Sequence, residues 1–176
     1  MAHAEEHEGG PGPVKLVRHA MAERPVTASP GMNAGDAAGL MSANDIGVLP
    51  ITEQDRLIGL ITDRDLVLRV IAERKDPRSI RLGDIATTRG IRTASPDMQL
   101  GDARALMAES RVRRLPVVKD GHLVGMLSLG DVALGSASMR GVGEALAAIS
   151  ASDATEGLNP GPDVGTPDRV KSRREV

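Results

Sequence analysis

Residues 49–65 read LPITEQDRLIGLITDRD, and a shift of 66 positions lays them on LPVVKDGHLVGMLSLGD at residues 115–131. The same shift aligns TASPGMNAGDAAGLM (27–41) with TASPDMQLGDARALM (93–107). No gap is needed between the two blocks, and about 15 of roughly 40 positions are identical. Solenoids stack several repeats of about 20–50 residues; a longer period in two copies instead specifies a pair of related units. One unit of about 50 residues buries too little apolar surface to be comfortable alone. The repeat therefore predicts one body in which two units pack sheet to sheet about a pseudo-twofold axis, leaving two equivalent clefts.

Local patterns give each unit a β-α-β-β-α order, an α+β class. An extended stretch at Val26 and Thr27 precedes a turn around Ser29-Pro30-Gly31. A helix is predicted from about Ala34 to Ser42, with Ala37, Leu40 and Met41 on one face. Asn33 suits its N-cap and Asp36 its positive end, whereas Gln99 caps poorly in the second unit. VLPIT and RLIGLIT follow as two buried strands joined at Glu53-Gln54-Asp55; RLPVV and HLVGMLS match them, joined at the strong hairpin pair Asp120-Gly121. Leu66, Val67, Val70 and Ile71 then have helical spacing, in a helix ending before Asp76-Pro77. The division expected is a flexible acidic, Gly/Pro-rich head (1–13), units at 14–78 and 79–137, a C-terminal helix (138–151, from Gly143 to about Ala151), and a disordered tail (152–176). The basic ending RVKSRREV is expected to be a solvated part of that tail.

Composition narrows the function. Without Phe, Trp or Tyr, the chain lacks the aromatic platforms on which single-stranded nucleic acids stack. A net charge of −2 offers no basic excess for a phosphate backbone, so no nucleic-acid partner is expected. No apolar stretch approaches the roughly 20 residues that cross a bilayer, and no signal-like run follows Met1, so the expectation is a soluble cytoplasmic protein without a membrane partner. The absence of cysteine excludes disulfides and thiol chemistry.

The doubled VTASP start, the hydrophobic-Pro strands VLPI and RLPVV, and the endings GLITDRD and GMLSLGD resemble a tandem pair of cystathionine-β-synthase (CBS) domains, a Bateman module, over about residues 14–135. The compact form is similar to stand-alone bacterial proteins of the hypoxic-response type. The resemblance implies a regulatory protein binding an adenosine derivative (AMP, ADP, ATP or S-adenosylmethionine) and an unknown regulated protein, with disk-like homodimers as the usual assembly. It implies no resident cofactor. It also places ligand contacts at Thr62 with Asp65, at Ser128 with Asp131, at Thr27 and Thr93, and at Arg113 and Arg114.

The chemistry of these positions is coherent. A carboxylate has acceptor capacity for both hydroxyls of a ribose diol, a hydroxyl at a strand-to-helix junction can bond a phosphate, and guanidinium groups suit bidentate phosphate contact. Thr-x-x-Asp and Ser-x-x-Asp equally fit a helix capping box, although that motif favours the longer Glu or Gln. With no aromatic ring available, an adenine is expected between aliphatic groups such as Ile51, Ile61, Val117 and Leu127. The units differ: Gly47 and Val48 stand where the second has Arg113 and Arg114, and Leu129 and Gly130 replace Asp63 and Arg64, so a charged rim is expected only in the first cleft.

Two other readings remain. One is a protein that keeps the fold without a ligand and acts through protein–protein contact. The other is an enzyme, for which His3-Ala4-Glu5-Glu6-His7 matches the zinc-protease pattern H-x-x-E-H. That chemistry needs a rigid helix and a third ligand, whereas this pattern precedes Gly-Gly-Pro-Gly-Pro and the remaining histidines, His19 and His122, lack ligand spacing. No nucleophile–base constellation appears, so no catalysis and no metal site are expected.

Overall fold

The computed structural model describes residues 15–135 and 139–156. The head at 1–13 with its His3/His7 pattern, and the tail beyond 156, lie outside them. After a 3-10 turn at Val17–His19 come β1 (Ala22–Glu23), α1 (Ala34–Ala43), β2 (Val48–Glu53), β3 (Arg56–Thr62), α2 (Asp63–Leu66), α3 (Leu82–Ile85), α4 (Leu100–Ser110), β4 (Arg114–Lys119), β5 (His122–Ser128), α5 (Leu129–Gly135) and α6 (Met139–Glu156).

The two hairpins copy one another. β2 pairs with β3 from Val48↔Thr62 to Glu53↔Arg56, and β4 with β5 from Arg114↔Ser128 to Lys119↔His122, each with a register shift at the same repeat position. Both turns need left-handed backbone at their two central residues, as type I′ turns do. Asp120 (φ 52°) and Gly121 (φ 82°) adopt it in one hairpin; Gln54 (φ 50°) and Asp55 (φ 61°), without glycine, adopt it in the other. The hairpins are not two separate stacked sheets. Arg56 pairs with His122, its own repeat counterpart, and antiparallel equivalent residues face one another only on the twofold axis itself. That pair joins all five strands into one antiparallel sheet.

The expected first strand of each unit shrinks to one parallel bridge, Ala28↔Ile51 and Ala94↔Val117, a residue beyond Thr27 and Thr93. Asn33 caps α1 by accepting from the Asp36 amide at 2.8 Å, and Gln99 makes no such bond. α2 is short and passes into a π-helical turn, Val67–Ile71, in which the Ala72 amide reaches back five residues to the Val67 carbonyl. Apolar spacing over two turns does not distinguish that winding from an α-helix, and so the sequence expectation of an α-helix running nearly to Asp76 is corrected here. α6 is longer than expected, beginning before Gly143 and taking in residues 152–156 of the expected tail. Among the described residues no helix is long and apolar enough to cross a membrane.

Each unit has its own core, and the two cores match by repeat position: Ala37 with Ala103, Met41 with Met107, Leu49 with Leu115, Ile61 with Leu127. The segments leading into the units, however, are exchanged. Val17, ahead of the first repeat, is buried in the second core, and its amide bonds the Met98 carbonyl. Leu82, ahead of the second, is buried in the first, with its amide on the Met32 carbonyl. β1 likewise pairs with β5, while Thr87 pairs with Leu60 of β3. The division at 14–78 and 79–137 therefore does not coincide with the packing units, because contact with the other unit is what buries these leads. The repeated glycines Gly59 and Gly125 admit them: a Cβ on Gly125 would lie 2.7 Å from Met21 Sδ and 3.0 Å from the Ala22 carbonyl oxygen, and one on Gly59 would lie 3.3 Å from Ala86 Cβ.

α6 breaks the symmetry. Its Val142, Ala145 and Ile149 are buried against the second unit's helices. On the first unit the matching face between α1 and α2 forms a groove of about 580 Å³ lined by Ala34, Gly35, Ala38, Val67 and Ile71. Val67 and Ile71 are half exposed there.

Because Leu82 fills the first core from outside its repeat, Leu82→Ala should cost about 2–5 kcal/mol. Urea unfolding should show that loss in a single cooperative transition; a nearly neutral effect would contradict the interlocked packing.

Candidate functional site

In a β-strand successive side chains take opposite faces. Leu49, Ile51, Ile61, Val117 and Leu127 are fully buried beneath the helices. The aliphatic groups expected to hold a base are therefore core residues, and the residues between them in sequence face the clefts.

One cleft, of about 300 Å³, is composite. Val48 and Pro50 enter it from β2, Arg114 from β4 and Met126 and Ser128 from β5, with Asp131 from α5, while Glu23 to Val26 and Ile46 complete the wall. Its repeat counterpart, of about 330 Å³, is lined by Leu60, Thr87, Gly90, Ile91, Arg92, Ser110, Val112 and Arg114. Arg114 borders both. Arg24 in the first corresponds to Gly90 in the second, and both have left-handed backbone (φ 51° and 70°). The conformation is shared, but only one cleft gains a guanidinium from it.

Both hydroxyl–carboxylate pairs close the capping geometry despite the short Asp. In the second unit Asp131 Oδ2 accepts from the Ser128 amide at 2.8 Å, and Ser128 Oγ accepts from the Asp131 amide at 3.1 Å. In the first, Asp65 Oδ2 accepts from the Thr62 amide at 2.9 Å and the Thr62 hydroxyl at 2.7 Å. Asp65 has a further partner: its Oδ1 lies 3.0 Å from Arg69 Nη2. Arg69 also donates to the Ile85 carbonyl and, at 3.4 Å, to Thr87 Oγ1. The residue at Arg69's position in the second unit is Gly135, so Asp131 has no equivalent cation beside it.

The expected site is thus divided. Arg114, Ser128 and Asp131 meet in one cleft; Thr62 and Asp65 line neither cavity. Thr27 and Thr93 are exposed and outside both linings, which take Pro25, Val26, Ile91 and Arg92 from just ahead of them. Arg113 is exposed beside Arg114, and its carbonyl accepts from the Leu129 amide at 2.9 Å. Neither Asp63 nor Arg64 makes the expected charged rim: Asp63 turns to the α1–α2 groove, while Glu23, Arg24, Arg114 and Asp131 gather in this cleft and Arg92 and Arg114 in its counterpart. The lead-segment residues were missed because their exchange leaves no local pattern; strand parity alone would have pointed to Val48, Pro50 and Met126.

Asp65 caps a helix and pairs with Arg69, whereas Asp131 only caps. Both alanine variants should lose about 0.5–2 kcal/mol, with Asp65→Ala the more costly by about 0.3–0.5 kcal/mol, the worth of an exposed i,i+4 pair. Chemical denaturation of the two variants checks the order.

A family model described as CBS domain matches this chain twice, at residues 17–72 and 82–136. The CBS domain-containing protein YhcV of Bacillus subtilis is 37% identical over 134 residues, covering 76% of this chain and 94% of that protein. Among solved structures, Hypoxic Response Protein I with two coordinated zinc ions aligns at a TM-score of 0.63 and 31% identity, over 69% of this chain and 99% of that one. Among the described residues here, no group of three or more His, Cys, Asp or Glu is placed to hold a metal. The CBS domain pair of protein MJ0100, in complex with 5′-methylthioadenosine and S-adenosylmethionine, aligns at 0.61 and 27% identity over 69% of this chain and 95% of that one.

Proposed function

The chain belongs to the CBS-domain family, whose pairs are regulatory, and on that premise we propose that it is a cytoplasmic metabolic or stress sensor binding an adenosine-type ligand: AMP, ADP, ATP or S-adenosylmethionine. The observation that carries this reading is the composite cleft, where two carboxylates (Glu23 and Asp131), a hydroxyl and two guanidinium groups converge beside apolar walls. Asp131 keeps acceptor capacity for a ribose diol beyond its capping bond. Arg24 and Arg114 supply donors for phosphate, and Pro25, Val26, Ile46 and Met126 offer aliphatic surface to a base. The MJ0100 pair, solved with two adenosine derivatives, supports the ligand class. Without an aromatic partner for the base, affinity rests on hydrogen bonds and is modest.

Regulation follows from the cleft being shared. A ligand touching both units favours the arrangement it fits, in proportion to its difference in affinity between arrangements. The chain itself is proposed to catalyse nothing; its output goes to a separate regulated protein.

The exposed apolar face of the first unit favours a homodimer as the assembly. It presents both a ridge (Val67, Ile71) and a recess of small residues (Gly35, Ala38), the self-complementarity that a twofold interface needs. The same face also serves the rival reading, a ligand-free protein acting by contact alone.

A thermal-unfolding series with AMP, ADP, ATP and S-adenosylmethionine distinguishes the two: saturable stabilisation by at least one ligand is expected. Arg114→Ala should weaken binding about tenfold or more, the scale of a lost charge-assisted hydrogen bond. No shift at millimolar ligand would favour the contact protein. Separately, Val67→Glu with Ile71→Glu should turn a dimer into a monomer in light scattering, and an unchanged mass would place the interface elsewhere.

A further inference from the structure

The pseudo-twofold axis supplies two clefts with two guanidinium groups each, Arg24 and Arg114 in one and Arg92 and Arg114 in the other, and what makes them unequal is the carboxylate. Arg24 enters one cleft where the other has Gly90. Arg69 pairs with Asp65, whereas its repeat position in the second unit is Gly135 and, among the described residues, no cation forms an ion pair with Asp131.

Resting on the ligand-binding reading above, we propose that each chain takes one adenosine-type ligand, in the cleft lined by Asp131, and that Arg69 withholds the carboxylate of the other. Both oxygens of Asp65 already have partners: Thr62 holds Oδ2 and Arg69 holds Oδ1. Their ion pair is half exposed and weak by itself. Its effect comes from what else Arg69 holds, because the same guanidinium donates to the Ile85 carbonyl and to Thr87 Oγ1. Thr87 exchanges two backbone hydrogen bonds with Leu60, both 2.9 Å, and these two residues form part of the second cleft's wall. A ribose taking Asp65 would separate it from a cation that is itself anchored to that wall. Asp131 has no such competitor, and its cleft already contains its carboxylate and hydroxyl together. Arg69 is thus a positioning residue, built into the chain as an internal counter-ion for one site of the pair.

Calorimetric titration of the full chain with AMP, ATP and S-adenosylmethionine tests this. The expected result is one site per chain for whichever of these binds. Asp131→Asn should lower its affinity tenfold or more, Asp65→Asn should change it less than twofold, and Arg69→Ala should open a second, weaker site. Two sites in the unmodified protein, loss of binding in Asp65→Asn instead of Asp131→Asn, or an Arg69→Ala variant that still binds one ligand would overturn the inference while leaving ligand binding intact. No saturable heat with any of the three would remove the ligand-binding reading itself, and this inference with it.

Discussion

The exchange of lead segments across the pseudo-twofold axis is the contact on which the rest of the molecule depends. Val17 completes the second core and Leu82 the first, so neither repeat closes its own hydrophobic interior. Small units bury too small a fraction of their surface to fold securely alone, and here each borrows a buried side chain from a segment outside its repeat. The exchange also builds the clefts. β1 runs along β5, and the residues following it, Pro25 and Val26, become a wall facing Asp131 and Ser128.

On this symmetric frame a few side chains make the halves different. α6 covers the helical face of the second unit, while the corresponding face of the first keeps its groove and its exposed Val67 and Ile71. Arg24 and Arg69 have glycine as their repeat counterparts, Gly90 and Gly135. Duplication accounts for the sheet, the registers and the paired cores. The departures from it make the linings of the two clefts different.

The frame was legible in the sequence because its signals are local and repeated. Asp120-Gly121 fixed one hairpin, and the alignment carried that hairpin to Gln54 and Asp55, which lack glycine yet adopt the same left-handed backbone. The candidate site was legible only in part: of the residues expected from motif position, Arg114, Ser128 and Asp131 line one cleft together. Ile51 and Leu127 were misassigned to a base because their position on the strand, not their hydrophobicity, decides which face they take. Arg69's contacts leave no local pattern: its bonds reach 16 and 18 residues along the chain, to Ile85 and Thr87, in a segment that belongs by sequence to the other unit.

The composite cleft draws its lining from both units, so a ligand in it touches both. Following the backbone amides by NMR during a titration with AMP tests it most directly. Val26 and Ile46 from the first half and Ser128 and Asp131 from the second are expected to shift together, with one common saturation curve. Shifts confined to a single unit, with AMP or with whichever of ADP, ATP and S-adenosylmethionine binds in its place, would contradict it.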